Sequence, residues 1–224
     1  MELINSASLV EAAAAHLRGA ILSGDLQPGE PVRVRDLQQG LGVSHIPIRE
    51  AIRQLEGEGL IVVRARHTPV VAGVNLDDLA AIYELRRMIE LPTVRLARER
   101  GSRASIARVE EAFSAFEAVA GDPSRPEYWE RHSDFHWALV EPGANTWTRR
   151  VLEPLWTAAE RYVRLFVATY ATPEATLQLH RALADAFSQE DATAVVEELN
   201  NHFDVTEQGV RAGFTKAKEA KSPE

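Results

Sequence analysis

The chain has 224 residues, 45% of them hydrophobic, and it contains no cysteine, which excludes a disulfide framework and a thiolate metal site. No apolar run approaches the ~20 residues that a membrane span needs, and the N-terminus lacks a secretion signal, so we expect a soluble, cytoplasmic protein. The formal net charge of −8 is unevenly distributed: residues 1–74 hold seven basic and eight acidic side chains, and residues 75–224 hold 18 and 25. The acidic excess therefore lies in the second part of the chain, which leaves the first part free to present a basic surface.

The first part of the chain is predicted to form a helix-turn-helix. A helix over residues 9–23, with Ser8 as its N-cap, comes first. Residues 34–59 (VRDLQQGLGVSHIPIREAIRQLEGEG) then carry apolar side chains at helical spacing in two short runs. Glycines on both sides of Leu41 allow a tight turn between the runs, and Ser44 is the predicted N-cap of the second helix. Such a second helix fits the major groove of DNA.

A small β wing is predicted after the helix-turn-helix. Residues 60–64 and 70–74 are rich in valine and have the pattern of two short strands. Residues 65–69 between them form the tip of the wing and carry Arg66 and His67. A basic tip of this kind lies on the DNA backbone or in the minor groove.

Residues 17–63 (LRGAILSGDLQPGEPVRVRDLQQGLGVSHIPIREAIRQLEGEGLIVV) resemble the winged helix-turn-helix of the GntR family of bacterial transcription regulators. The resemblance implies that residues at the start of the second helix read operator bases and that flanking basic residues bind phosphates. The family often has arginine at the position of His45, so we expect an operator that differs from the common one at that base. It also often has glycine at the wing tip, where this chain has none. The candidate DNA-binding residues are Arg35, Ser44, His45, Ile46, Arg49, Arg53, Arg64, Arg66 and His67.

The second part of the chain is predicted to be an all-α bundle of about six helices. Apolar residues recur at helical spacing from residue 75 onwards, and no strand pattern interrupts them. Proline, glycine and capping residues divide this region into predicted helices at about 75–100, 106–119, 127–140, 145–170, 173–188 and 191–214. We therefore expect a mainly α protein: a winged domain at 1–74, a helical domain at 75–214 and a flexible, charged tail at 215–224.

Four histidines of the helical region are predicted to point toward its core. His132 and His136 are spaced i, i+4 on one helix, and His180 and His202 lie on the apolar faces of two others. Buried imidazoles need polar partners, and a divalent metal would supply one. Nitrogen ligands favour zinc, nickel or copper over manganese, so we expect zinc or nickel.

This region also resembles the FCD effector domain of the FadR-type GntR regulators. The matching text is YELRRMIE at 83–90, Phe135-His136, and His180 ahead of LADAF at 183–187. Many members hold a metal with one aspartate and three histidines, which implies His136, His180 and His202 as ligands. The family aspartate lies four residues before His136, where this chain has His132. His132 is thus either the fourth ligand or a sign that metal binding is altered or lost.

An organic acid is the effector that this architecture predicts. A metal with an open coordination position beside an arginine is suited to bind a small carboxylate. The candidate arginines are Arg86, Arg87, Arg161 and Arg164.

We therefore expect a homodimeric regulator, a repressor, that binds a pseudo-palindromic double-stranded DNA operator and responds to a small carboxylate. Two alternatives are a regulator that responds to metal alone and a helical metalloenzyme. The enzyme hypothesis is the weaker one because the sequence contains no His-Glu-x-x-His pattern and no evident general base.

Overall fold

The computed structural model describes residues 6–189 and 191–220, and these residues form two compact units. Among the described residues, those up to Leu76 together with Pro154–Leu165 form the first unit, and those from Asp77 to Glu153 and from Phe166 onwards form the second. The fold is mainly α, as the sequence predicts. No helix in the described part of the chain is both long and apolar enough to cross a membrane.

The first unit contains a winged helix-turn-helix. Its elements are α1 (Ser6–Ser23), α2 (Val34–Leu41), α3 (His45–Gly57), β1 (Ile61–Val62) and β2 (Val70–Val71). The two strands are antiparallel, with Ile61 opposite Val71 and Val62 opposite Val70. The core of this unit is made of buried side chains from α1, α3, β1 and the residue before β1, among them Leu17, Ile48, Leu55, Leu60 and Ile61.

The turn between α2 and α3 follows the sequence prediction in one respect and departs from it in another. Gly42 ends α2 in the left-handed region at φ 66°, and its N–H donates to the carbonyl of Gln38, so glycine is required there. Ser44 is the N-cap of α3 with extended backbone, but its hydroxyl makes no capping bond.

The predicted cap at Ser8 is wrong, because α1 has already begun at Ser6.

The second unit is built around six helices, of which α7 also contributes its middle to the first unit. They are α4 (Leu76–Arg100), α5 (Arg103–Glu117), α6 (Pro126–Val140), α7 (Thr148–Tyr170), α8 (Pro173–Ser188) and α9 (Ala192–Ala220), with a 3₁₀ turn at Glu141–Gly143.

Side-chain caps explain where several of these helices begin. The hydroxyl of Thr172 accepts a hydrogen bond from the N–H of Ala175 at 3.2 Å, with Pro173 at the first position of α8. Asp191 accepts from the N–H of Thr193 ahead of α9. Helix α9 continues to Ala220, past the predicted end near residue 214, so residues 215–220 of the predicted tail are helical. Residues 221–224 lie outside the described residues.

Two hydrophobic residues that helical spacing alone would place on inward faces, Leu85 and Val205, are exposed instead. Leu85 of α4 is 46% exposed, because Arg86 and Glu90 take the inward positions as a buried ion pair. Val205 of α9 is 45% exposed, because Phe203 fills the core at that turn of the helix. The inward faces of both helices are therefore rotated from the simplest apolar pattern.

Candidate metal centre and nucleic-acid interface

The four histidines of the second unit form one cluster. Helix α6 supplies His132 and His136 one turn apart, α8 supplies His180 and α9 supplies His202. One ring nitrogen from each of His132, His136 and His180 lies within 4.8 Å of the others. The ring of His202 is centred 5.0 Å from that of His136 and 4.8 Å from that of His180. The sequence prediction that these side chains converge is thus confirmed.

Hydrogen bonding fixes which nitrogen of His180 faces the cluster. Its Nδ1 lies 2.7 Å from the carbonyl oxygen of Thr176, an acceptor, so Nδ1 carries the proton and Nε2 holds a free lone pair. This Nε2 is buried without a hydrogen-bond partner, and so is Nδ1 of His202. An N–H bonded to a backbone carbonyl, with the other nitrogen free, is the usual arrangement of a metal-binding histidine.

Burial keeps three of these imidazoles neutral. It lowers the pKa of His180 from the ordinary 6.5 to about 4, although the bond to Thr176 acts in the opposite direction. Burial first, and then the neighbouring histidines and Arg86, hold the pKa values of His136 and His202 well below 6.5. Neutral imidazole is the form that binds metal.

The donor set fits a nitrogen-binding divalent metal. Four imidazoles from three helices supply the number of ligands that tetrahedral zinc takes, with zinc–nitrogen bonds of about 2.0–2.1 Å. Asp134 does not join it: its carboxylate pairs with Arg131 at 3.3 Å and is 48% exposed. The candidate donors at this cluster are therefore all imidazole nitrogens.

A buried arginine lies near the histidines. The Nε of Arg86 donates to Glu90 at 2.6 Å, and both side chains are buried. The guanidinium also lies 4.9 Å from the ring centre of Tyr83 and 4.6 Å from that of Phe203. The i, i+4 spacing of Arg86 and Glu90 is visible in the sequence, but two charged residues normally indicate a solvated face. Sequence reasoning therefore missed Glu90.

The other three candidate effector arginines have protein partners. Arg87 pairs with Asp204 and Glu207 of α9, at 2.6 and 3.2 Å. In the first unit, Arg164 pairs with Glu160, and Arg161 donates to two backbone carbonyls after β2. Of the four, Arg86 is the one whose charge acts on the histidine cluster.

The candidate DNA-binding residues all lie on the surface of the first unit. Arg35, Ser44, His45, Ile46, Arg49, Arg53, Arg64, Arg66 and His67 are exposed. In the described part of the chain, none of the five arginines among them forms an ion pair, so their charges are available to phosphates. Ile46, 60% exposed at the start of α3, presents an apolar surface of the kind that contacts thymine methyl groups.

The wing tip forms a tight turn without glycine. Arg66 has a positive backbone φ of 63°, a conformation that residues other than glycine rarely adopt. The N–H of His67 donates to the carbonyl of Arg64 at 3.1 Å, and Nδ1 of His67 lies 2.8 Å from the carbonyl of Ala65. The tip therefore keeps the turn that glycine would allow, with a cation at its apex.

Comparisons with known proteins agree with both units. Residues 9–71 match the model of bacterial regulatory proteins of the gntR family, and residues 81–205 match the FCD domain. The HTH-type transcriptional regulator BphR of Paraburkholderia xenovorans is 29% identical over 90% of this chain and 85% of its own. The HTH-type transcriptional repressor GlaR of Escherichia coli is 27% identical over 83% and 88%.

The fold has a solved counterpart. The structure of Escherichia coli McbR/YncC superposes with a TM-score of 0.74 at 20% identity, covering 94% of this chain and 99% of that one.

Proposed function

Because the chain belongs to the gntR family of bacterial regulatory proteins and carries an FCD domain, we propose that this DNA-binding transcription regulator is a repressor controlled by a metal-bound organic acid. The family and the relatives are regulators rather than enzymes. The repressor name of GlaR supports the sign of regulation. We assign DNA binding to residues 1–74 and effector binding to 75–214 in a cytoplasmic protein.

Operator recognition is assigned to the exposed face of α3 and to the wing. His45, Ile46 and Arg49 enter the major groove, and Arg64 and Arg66 follow the backbone. This assignment is supported by their exposure and by the absence of ion pairs to these arginines within the described residues. A local basic surface supplies the phosphate-binding free energy although the whole chain is acidic.

The histidine cluster is assigned to zinc or nickel. The observation that carries this proposal is the pair of buried, unpartnered imidazole nitrogens, Nε2 of His180 and Nδ1 of His202. Leaving a polar atom buried without a partner costs about 1–3 kcal/mol, and a metal would remove that cost. His132, His136, His180 and His202 would hold the ion, and a carboxylate oxygen would bind it as a fifth ligand, since zinc can expand from four to five coordination.

A small carboxylate is the proposed effector. Arg86 is already held beside the cluster by Glu90, Tyr83 and Phe203, so it loses little conformational entropy on binding an anion. The carboxylate would contact the metal and compete with Glu90 for the guanidinium.

The protein is proposed to act as a homodimer on a pseudo-palindromic site. Helix α4 supports this, because Leu85, Met88 and Leu96 lie exposed at helical spacing, with 46, 62 and 37% of their surfaces accessible. A stripe of this kind is suited to pack against its own copy in an isologous interface.

The decisive experiment is metal analysis of untagged protein purified without chelator, followed by operator selection from random duplex DNA. We expect about one zinc or nickel per chain, lost in His136→Ala and retained in the control His16→Ala, which alters an exposed histidine of α1. No metal after reconstitution would refute the metal site. Operator binding that responds to metal but to no acid would favour the metal-responsive regulator instead.

A further inference from the structure

Arg161 is a buried cation with an unusual set of partners. It lies in the middle of α7, within the part of that helix that belongs to the first unit, and only 3% of its surface is exposed. Its Nη1 donates to the carbonyl oxygens of Ala72 at 2.6 Å and Gly73 at 3.1 Å. Both carbonyls belong to the linker that leaves β2 and leads to α4.

The partners of Arg161 do not neutralise its charge. No carboxylate among the described residues pairs with it, and its Nε is buried without a hydrogen-bond acceptor. A buried guanidinium without a counter-ion costs stability, and replacement by an apolar side chain of similar size is often neutral or stabilising. Apart from the ring of Tyr162, whose centre lies 4.7 Å from the guanidinium, the contacts that call for an arginine at this position are those to the linker.

We propose that Arg161 is a positioning residue for operator binding: it clasps the linker at Ala72 and Gly73 and so sets the direction in which the chain leaves the wing. The inference rests on operator binding by the winged domain. The same linker segment also extends the pairing of β1 with β2, because the N–H of Ala72, just after β2, donates to the carbonyl of Leu60, just before β1, at 2.9 Å. One side chain thus fixes the edge of the wing and the start of the linker together.

The clasp also places α7 where it can influence the wing. The middle of α7 belongs to the first unit and its two ends belong to the second. A shift of this helix along its axis would move Arg161 relative to the two carbonyls, and hydrogen bonds weaken steeply with such misalignment. The linker can then exist in a clasped and a released state, which is the kind of two-state element that regulation requires.

The test compares Arg161→Met and Arg161→Lys with Arg149→Met in the full-length protein. Arg149 lies on the same helix, but its side chain is 56% exposed and pairs with Glu153. The measurements are hydrogen exchange of the amides of residues 72–75, the melting temperature, and affinity for the operator selected by the wild-type protein as a function of salt.

For Arg161→Met we expect an unchanged or higher melting temperature, linker amides that exchange about tenfold faster, and operator affinity reduced about tenfold. The slope of log affinity against log salt should stay that of wild type, because no phosphate contact is lost. Arg161→Lys should recover part of the affinity, and Arg149→Met should resemble wild type.

Linker exchange and operator affinity unchanged in Arg161→Met would overturn the proposal. A shallower salt slope would also overturn it, because Arg161 would then be a phosphate contact. Failure of the wild-type protein to select an operator would refute the DNA-binding assignment instead, and hydrogen exchange would still report on the clasp.

Discussion

A single residue, His132, sets the charge of the candidate metal centre. With four neutral imidazoles as ligands, a divalent ion keeps its full charge, whereas a carboxylate at this position would halve it. The ring of His132 lies 4.6 Å from that of His136 and 4.9 Å from that of His180, centre to centre, so a shorter acidic side chain at position 132 would still face the cluster. The preference for one metal over another should therefore depend on this residue.

We predict that His132→Asp raises affinity for manganese relative to zinc by about tenfold or more, because carboxylate oxygen suits manganese better than imidazole does. Competition of the metal-free protein with a chromophoric chelator would measure both affinities. His132→Ala is the control, since it removes a ligand without supplying an oxygen and should weaken both metals. Equal behaviour of the two variants would show that position 132 does not bind the ion.

Arg49 is the residue of α3 best placed for base recognition. It is exposed one turn after the start of the helix and has no ion-pair partner among the described residues. Arg49→Ala should cost roughly 1–3 kcal/mol of binding free energy if the guanidinium contacts a guanine bidentately. Titration of the selected operator would measure it, with Arg108→Ala of α5, an exposed arginine paired with Glu111, as the charge-matched control. Wild-type affinity in Arg49→Ala would exclude the contact.

Two helix boundaries in this chain follow from local chemistry, whereas the faces that its helices turn inward depend on tertiary packing. Thr172 and Gly42 act within one turn of their own position, so the sequence alone predicts where α8 begins and α2 ends. The convergence of the histidines was also predictable, since each lies on an apolar face. The burial of Arg86 and the clasp of Arg161 on the linker, 88 and 89 residues away in sequence, depend on tertiary packing that no local pattern encodes.

The contact between the 3₁₀ turn and α4 requires glycine at position 143. A Cβ there would meet the carbonyl oxygen of Thr93 and come within 2.5 Å of the backbone nitrogen of Ala97. Both atoms belong to a helix backbone that cannot move aside, so Gly143→Ala should destabilise the protein by about 3 kcal/mol. Urea denaturation would measure the loss. Gly121→Ala, where an added Cβ has no atom within 4 Å, should stay within about 0.5 kcal/mol of wild type.

In the whole molecule, acidic and basic side chains are unevenly distributed. The chain is acidic overall at −8, yet arginines without ion-pair partners among the described residues lie on the exposed face of α3 and on the wing. The neutral, buried histidines contribute no charge of their own at neutral pH. These histidines therefore bind protons less readily in the folded chain than in the unfolded chain. The free energy of unfolding consequently depends on pH.

The metal-free protein should lose stability as the pH falls from about 7 toward 4. The pKa of His180 is about 4 in the folded chain against an ordinary 6.5, so between these values the unfolded chain binds more protons. The stabilisation is fully present above pH 6.5 and is lost in acid, by about 3 kcal/mol for His180 alone. The lowered pKa values of His136 and His202 act in the same direction. Urea denaturation of chelator-treated protein across this range would measure the slope.

Two histidine variants distinguish the contribution of the cluster to the pH dependence of stability from that of other titrating groups. His180→Leu removes the suppressed site and should flatten the dependence of unfolding free energy on pH. His16→Ala, which changes an exposed histidine, should keep the wild-type slope. Added zinc should raise stability most near neutral pH and least in acid, because protons compete with the ion for the same nitrogens. A slope that His180→Leu leaves unchanged would show that folding does not lower the pKa of this histidine, and the buried, neutral cluster proposed to bind metal would have to be abandoned.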